Sequence, residues 1–449
     1  MEGMIVLKKK TLKTVASAMV LTFGLSTVPA PAFAVSTNIV NETSGVNVLT
    51  VSQIQDLAVI YNDTVDTLKL SMKQIELQEE MLRKQKKEAW NSLDNLDVDT
   101  SSSDAALTQM KQTLDSLKAA IDAGVATPEQ QIDYMLLQAD YQTALSSKQS
   151  LNQQLDSAYD QTIEAIDQLN DALDTIADNK NDLNQSMEDL EQIMRYSSAK
   201  MALSIVQLEE SIDLIESQLA MLDKTIQIYE LQAKLGMTTS LNVDAQRTSK
   251  VELQNSLNST REQLDNLKRS LNLLIGRNAN NPLEVIPMEI SGIITPAPQF
   301  TAELVNQFVK VNPQMETLLD ERQDLKDSAK KDIGSDEKQQ IDYQIQAKDM
   351  ELKKQRQATE DNLKAMLANI NTNAVNYRIS KEKLAAEQQN YNIALKKYEL
   401  GMISQMQLLQ AEAVLAQVKL TNLSNAYQHY FDWQEYNLAK QGIDTGSMM

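Results

Sequence analysis

The chain has 449 residues and a formal net charge of −20, with 42 Lys and Arg against 62 Asp and Glu. So acidic a chain is not expected to bind nucleic acid, because phosphate contacts need a basic surface. It has 11 Gly, 8 Pro and no cysteine. The composition is typical of long helices, and the missing thiol excludes a disulfide framework and a thiol-linked lipid anchor.

The acidic residues are spread along the chain instead of forming one block. We interpret them as the solvated faces of extended helices. A duct whose negatively charged lumen favours cations is the alternative interpretation.

The N-terminus has the pattern of a secretory signal peptide, which we predict over residues 1–34. Four lysines between positions 8 and 13 precede an apolar run from Val15 to Val28, and the segment ends in Ala32-Phe33-Ala34. The apolar run is shorter than the roughly 20 residues of a spanning helix, so a retained anchor is the weaker alternative. We therefore expect an exported protein.

Two similar segments, Leu49 to Asn62 and Phe300 to Pro313, each set a Thr before an apolar-periodic stretch of about a dozen residues. This pattern predicts a capped short helix at each place. The first is followed by a predicted insertion over about 88–180, interpreted as one additional hairpin. Its turn lies at residues 123–128, with Thr127 as N-cap and Pro128 at the first helical position.

Apolar residues spaced alternately three and four apart flank Leu235-Gly236-Met237-Thr238-Thr239 on both sides. Such heptad seams predict two coiled-coil helices, and a glycine with positive φ ends the first while Thr238 or Thr239 caps the second. The seams are thus the arms of one antiparallel hairpin. The outward arm carries Ile205, Leu208, Ile212, Ile215, Leu219, Leu222, Ile226 and Tyr229, and the return arm carries Leu253, Leu257, Thr260, Leu264, Leu267, Leu271 and Leu274.

The outward arm has a second, partial apolar stripe beside its seam. A helix with two apolar stripes is packed on two sides, which favours a tube over a compact bundle. The stripe consists of Val206, Leu214, Ala220, Ile228 and Leu231.

The pattern recurs around Leu400-Gly401-Met402-Ile403-Ser404. From Gly236 to the helix-ending Gly276 is 40 residues, and from Gly401 to Gly442 is 41, so we predict an internal duplication. The repeats are assigned to 35–277 and 300–442, with a Pro-rich extended linker over 278–299 that holds at most one strand, and a tail over 443–449. The second outward seam comprises Ile370, Ala374, Tyr377, Leu384, Tyr391, Leu395 and Tyr398.

Two copies of a short helix, a long outward helix, a glycine tip and a long return helix resemble the TolC family of outer-membrane efflux proteins. The resemblance covers most of the chain outside 88–180. It implies a homotrimer whose paired hairpins form a twelve-helix tube, with the tips meeting a periplasmic adaptor (membrane fusion) protein of an inner-membrane pump. The implied adaptor-docking residues are Leu235, Gly236, Met237 and Thr239 in the first tip and Leu400, Gly401, Met402 and Ser404 in the second. Plain helix termination is the other interpretation of the two glycines.

The sequence departs from the family at two places. The segments where relatives carry membrane-spanning strands, Asn91 to Ala105 and Ser328 to Gln340, do not alternate and hold no aromatic residue, so we expect little or no β structure. At the pore mouth, where relatives often place aspartates, the implied positions hold Asn242, Asp244, Gln407 and Gln410. An acidic gate is therefore not transferred to the second hairpin.

No catalytic constellation can be assembled, because His429 is the only histidine and neither cysteine nor a phosphate-binding loop is present. We expect no enzyme activity, no cofactor and no metal. His429 is interpreted as a packing residue in an aromatic cluster, with pH sensing as the alternative. Methionines near seam positions are read as core residues, in preference to a metal or promiscuous binding surface. These are Met187, Met194, Met201 and Met221.

The sequence thus predicts an all-α fold of long antiparallel helical hairpins in two repeats. Two functions remain open: a duct component of the TolC type in the outer membrane or cell envelope, and an exported structural coiled coil without a transport role.

Overall fold

The computed structural model describes residues 48–94, 101–290, 295–330 and 334–443. The predicted all-α fold with antiparallel hairpins is confirmed. The predicted signal peptide and most of the tail lie outside the described residues. The elements in chain order are β1 (Val48–Thr50), α1 (Val51–Ile60), α2 (Asp63–Asp94), α3 (Ser101–Asp122), α4 (Pro128–Lys234), α5 (Ser240–Leu274), β2 (Glu284–Ile286), α6 (Ala302–Val311), α7 (Pro313–Ala329), α8 (Ser335–Glu399) and α9 (Gln405–Lys440).

The described residues divide into two compact units, and helix α4 contributes to both. Unit 1 comprises residues up to 65 and from 188 onward, and unit 2 comprises 66–187. Unit 2 is wider than the predicted insertion over 88–180. Within the part of the chain that the structure describes, we find no helix whose apolar length would let it cross a lipid bilayer.

Unit 2 is a long antiparallel hairpin. Its first arm consists of α2 and α3, and its second arm is the N-terminal part of α4. Glu79 of α2 pairs with Lys180 at 2.8 Å, and Asp104 of α3 pairs with Lys148, so later residues of one arm face earlier residues of the other. The α2 helix therefore belongs to the same hairpin as the predicted insertion.

The repeats of unit 1 open in the same way. Thr50 and Thr301 cap α1 and α6, as predicted. The side chain of Asn62 then accepts from the backbone N–H groups of Thr64 and Val65, and the side chain of Asn312 does the same for α7. Each opening helix is thus followed by an Asn that begins the next helix.

The same two asparagines also fix the outward helices. The Nδ2 group of Asn62 donates to the Met194 sulfur, and that of Asn312 donates to the Thr359 hydroxyl, each at 3.2 Å. Met194 and Thr359 are 165 residues apart, as are Gly236 and Gly401. The bonds therefore occupy equivalent places in the two repeats.

The main core lies at the base of unit 1, where the repeats meet. Ile54 of α1, Ile205 of α4 and Leu271 of α5 are completely buried there, and Tyr427 and Phe431 of α9 are also buried. Strand β1 pairs in parallel with β2 of the linker, with Leu49 opposite Val285, and both of these side chains are buried. The first repeat, the linker and the last helix of the second repeat therefore share one core.

The predicted seams are buried or half-buried along both hairpins, with one exception. Tyr398 is 39% exposed, so the second seam ends before its last predicted member. The four methionines read as core residues are buried or half-buried. In the second stripe, Val206 and Leu214 are buried, whereas Ala220, Ile228 and Leu231 are exposed.

Two glycines are held against the opening helices. Gly276 has φ +73°, and a Cβ there would lie 2.4 Å from the ring of Tyr61, at the end of α1. Gly442 has φ +86°, and a Cβ there would lie 2.2 Å from the carbonyl oxygen of Val311, at the end of α6. The return helices therefore end where the opening helices leave no room for a side chain.

We expect Gly276→Ala to destabilise the protein more than Gly236→Ala does. Both substitutions place Ala at positive φ, which costs roughly 1–2 kcal/mol. Only Gly276→Ala also clashes with Tyr61, adding about 1–3 kcal/mol of overpacking. Urea unfolding of the two variants measures the difference, and equal losses would contradict the packing at the base.

Candidate docking tips

Each long hairpin of unit 1 turns through the same arrangement of backbone hydrogen bonds. At the first tip the N–H of Gly236 donates to Ala233, and the N–H of Met237 donates to Gln232, at 3.0 and 2.8 Å. At the second tip Gly401 donates to Tyr398 and Met402 to Lys397, both at 2.8 Å. This is the Schellman motif, in which a glycine at positive φ closes the helix.

Apolar side chains project from both tips. Leu235 and Met237 are 66% and 73% exposed, and Leu400 and Met402 are 74% and 68% exposed. The space beside Gly236 and Gly401 is empty, because a Cβ at either position would meet no atom within 4 Å. Each tip therefore presents two large apolar side chains on either side of a bare stretch of backbone.

The caps that follow the two turns differ. Ser404 and Gln407 form a reciprocal capping box, with Ser404 N–H donating to Gln407 Oε1 at 2.9 Å. Thr239 occupies the N-cap of α5, but its side chain makes no capping bond. Thr239 is thus the N-cap in position, as predicted, but without a side-chain capping bond, and the Thr238 hydroxyl accepts from the Asn242 side chain at 2.9 Å.

The four predicted pore-mouth residues lie on the first two turns of the helices that follow the tips, where all are exposed. Asn242 is engaged with Thr238, and Gln407 belongs to the capping box. Asp244 lies 3.8 Å from the guanidinium of Arg247. Gln410 is exposed on α9. The structure thus gives two of these side chains a local role in shaping the turns.

The turn of unit 2 has the same backbone geometry. Gly124 N–H donates to Ile121 and Val125 N–H to Ala120, and Thr127 follows as the N-cap, as predicted. In all three turns a Ser or Thr stands three residues after the glycine. Helix termination therefore accounts for Gly236 and Gly401 themselves, and any recognition must come from the side chains around them.

A ladder of ion pairs joins the two arms of the first hairpin. Four acids on α4, each seven residues from the next, pair with bases on α5 at 2.5–2.7 Å. Exposed pairs contribute only about 0.2–1 kcal/mol each, but like e/g charges in coiled coils they favour one register. These acids are therefore not only solvated but also align the two arms of the hairpin. The pairs are Glu209–Lys268, Glu216–Arg261, Asp223–Lys250 and Glu230–Arg247.

Sequence reasoning missed this ladder, although the signal was present. Glu209, Glu216, Asp223 and Glu230 recur at an interval of seven beside the seam. Identifying the bases required the register of the return arm, because Lys250 breaks their heptad spacing.

The second hairpin is joined by buried polar groups instead. Asn373 of α8 donates to the Asp432 carboxylate of α9 at 2.7 Å, and Ser380 donates to Asn422 at 3.2 Å. Asp432 and Ser380 are buried. Hydrogen bonds of this kind are needed because a buried polar group without a partner is costly.

Side chains of the second hairpin also hold the linker. The Tyr377 hydroxyl donates to the carbonyl of Ile290 at 2.7 Å, and the Trp433 indole donates to that of Thr295 at 3.3 Å. The Asn371 side-chain oxygen accepts from the backbone of Ala297 at 3.1 Å. The described part of the linker is thus fixed along α8 and α9.

Comparison with solved structures finds similar chains among outer membrane proteins. The chain is similar to CusC, a transmembrane channel, with a TM-score of 0.46 and 13% identity over 88% of this chain and 96% of that one. It is also similar to the Campylobacter jejuni CmeC outer membrane channel, with a TM-score of 0.40 and 10% identity over 61% and 68%. For the outer membrane protein VceC of Vibrio cholerae, the TM-score is 0.37 and the identity 13% over 58% and 74%. No family model matches the chain, and no curated protein matches it.

His429 of α9 packs against the neighbouring helix α8, as predicted. The residue is 5% exposed, and its ring stacks on Tyr377 at 6.5 Å between centroids. Burial lowers the pKa of His429, while nearby Asp432 and a hydrogen bond with the backbone of Ile370 oppose that shift. Its Nδ1 atom has no hydrogen-bond partner among the described residues. The neutral ring therefore fits this site better than the charged one.

Because the pKa of His429 is lower in the folded protein, its protonation favours unfolding. The free energy of unfolding should be unaffected by His429 above about pH 6.5, the ordinary pKa of histidine. It should fall as the pH drops below that value toward the lower pKa of His429 in the folded protein. His429→Gln removes the only imidazole, so the urea midpoint should lose less between pH 7.5 and pH 5.5 than it does in the wild type. Equal losses in the two proteins would contradict this assignment.

Proposed function

We propose that this chain is a duct component of the TolC type, which acts in transmembrane export with a periplasmic adaptor and an inner-membrane pump. Leu235 and Met237 in the first tip, and Leu400 and Met402 in the second, are proposed to dock the adaptor around Gly236 and Gly401, with Thr239 and Ser404 beside them. The exposed Leu-Gly-Met pair, repeated on one turn geometry at the ends of two duplicated hairpins, carries the proposal. The proposed location is the cell envelope or the outer membrane.

Both hairpins expose large apolar side chains in their distal parts, which supports packing against a neighbouring hairpin. Ile228, Leu231 and Val251 are 44%, 60% and 60% exposed in the first hairpin, and Ile379 and Ile393 are 56% and 52% exposed in the second. A run of exposed large apolar side chains usually marks an interaction surface. In a homotrimer these faces would lie between adjacent hairpins of a closed tube.

The proposed pore mouth carries little charge. Asp244 is its only carboxylate, and Asn242, Gln407 and Gln410 are neutral amides. We therefore propose no acidic gate on the second hairpin, and Asp244 alone would contribute to cation preference at the first.

A structural coiled coil of the cell envelope is the second candidate. It is favoured by the unit 2 turn, where Gly124 and Thr127 repeat the tip geometry on a hairpin that lies outside the part of the chain with the TolC-like resemblance. Such a turn serves any antiparallel helical hairpin, so it does not require an adaptor.

Assembly separates the two candidates. We expect the chain without residues 1–34 to have a mass in solution that is a multiple of three protomers, and negative-stain images to show hollow tubes. A monomer, or an assembly with no lumen, would contradict the duct.

Photocrosslinking in the native cell tests the tips. A photoreactive residue at Met237 or Met402 should crosslink to an adaptor with its own helical hairpin. Val125 is a matched control, because it follows Gly124 in the same turn and is 74% exposed. Equal labelling from all three positions would count against docking by the tips.

A further inference from the structure

Helix α2 of unit 2 has a second apolar face that no part of the described chain covers. Its inner face packs in the hairpin through half-buried residues such as Leu68, Ile75 and Leu82. On the outer face Leu70, Leu77 and Met81 are 61%, 61% and 58% exposed. Their spacing of seven and then four places them on one stripe of the helix.

This outer stripe has the spacing of a coiled-coil seam. With Gln74 between Leu70 and Leu77, the intervals are four, three and four. The seam fits a second copy of itself running antiparallel. Leu70 then lies opposite Met81 of the copy and Gln74 opposite Leu77, and the reverse contacts follow from the twofold axis.

The charges beside the seam select this partner. Asp66, Lys73, Glu80 and Lys87 recur every seven residues along one flank and alternate in sign. In the antiparallel register Lys73 faces Glu80 of the copy, and Asp66 faces Lys87. The twofold axis repeats both contacts, so all four pairs are attractive.

The residues on the opposite flank of the seam show that a parallel pair could not form these ion pairs. This flank consists of Ser71, Gln78 and Gln85, which are neutral. A parallel coiled coil sets one flank of each helix against the other flank of its partner, so every charge would face an uncharged side chain. Only the antiparallel pair brings the charged flanks together.

We propose that unit 2 binds a second copy of this chain through the outer face of α2, as an antiparallel twofold pair. Leu70, Leu77 and Met81 form its apolar seam, and Lys73 with Glu80 form its central ion pairs. Within the described residues, Lys73 and Glu80 make no ion pair in the single chain. Asp66 pairs with Lys69 at 3.3 Å, and because both side chains are exposed this contact is weak and can give way to one with Lys87 of the copy. The proposal does not depend on the duct, because its residues lie in unit 2 whereas the proposed docking tips lie in unit 1.

A charge swap tests the pairing in the full chain without residues 1–34. Lys73→Glu sets Glu against Glu80 twice across the axis, and should weaken the pairing about tenfold or more. The double variant Lys73→Glu/Glu80→Lys restores both pairs with reversed sign, and should recover the wild-type mass. Sedimentation equilibrium over a range of concentrations measures both. Lys111→Glu makes the same charge change at an exposed position of α3 and should have no effect.

The outcomes are distinct from those for the duct. A mass that Lys73→Glu leaves unchanged, or that the swap does not restore, overturns the pairing. A trimer that associates no further also overturns it, and leaves the proposed duct standing. Helix content by circular dichroism should be equal in all variants, because the substituted side chains are exposed.

Crosslinking gives an independent measurement because the chain has no cysteine. In the proposed pair, the cysteines of two Gln74→Cys chains lie in adjacent layers of the seam. Because neighbouring helices pack closely, a bismaleimide about 10 Å long can join them. A covalent dimer is expected from Gln74→Cys and not from Lys111→Cys. Crosslinking of the Gln74→Cys variant to a different protein, or equal dimer from both positions, would overturn the proposal.

Discussion

The shared core at the base of unit 1 is the constraint on which its two hairpins depend. A two-stranded hairpin buries one narrow seam per helix, and helices of this kind owe most of their stability to tertiary packing. At the base, Tyr196 of α4 meets Phe431 of α9 edge to face at 5.7 Å, and its hydroxyl bonds to Glu435 at 2.5 Å. Burial and this bond raise the pKa of Tyr196. The first and second repeats are thereby tied through their own long helices.

The glycine stops follow from this core. A side chain at Gly276 or Gly442 would overlap the end of an opening helix, at Tyr61 in one repeat and at Val311 in the other. The return helices therefore end at corresponding places in the two repeats, and their lengths of 35 and 36 residues are nearly the same. The tip glycines have no such neighbour, so they are required only by the direction of the backbone.

Duplication did not keep the same chemistry between the arms. The first hairpin is aligned by four exposed ion pairs, and the second by buried amide, hydroxyl and carboxylate groups. Exposed pairs are weak and tolerate movement, whereas a buried polar group without its partner carries a full desolvation cost. The second hairpin, which also holds the linker through Tyr377 and Trp433, is therefore the more strictly positioned of the two at its base.

The sequence was most informative where a pattern is local. Heptad spacing located the seams, and Gly followed by Ser or Thr located all three turns. It failed where the outcome depends on register or on a neighbouring element. Tyr398 continues the seam spacing but lies near the tip, where it is partly exposed. Thr239 makes no side-chain capping bond, and the Asn242–Thr238 hydrogen bond beside it is not predicted by any propensity. That α2 belongs to the hairpin of unit 2 likewise required the cross-arm pairs of Glu79 and Asp104.

The three turns show what distinguishes a tip from a mere bend. Backbone geometry is common to Gly124, Gly236 and Gly401, so selection for a turn alone would leave the flanking residues free. At Gly124 the neighbours are Ala123 and Val125, whereas both unit 1 tips carry the longer Leu and Met. Exposing a large apolar side chain at the end of a hairpin contributes nothing to the packing of that hairpin and costs solubility. Its repetition at two equivalent places is therefore the observation on which the proposed docking role of the tips depends.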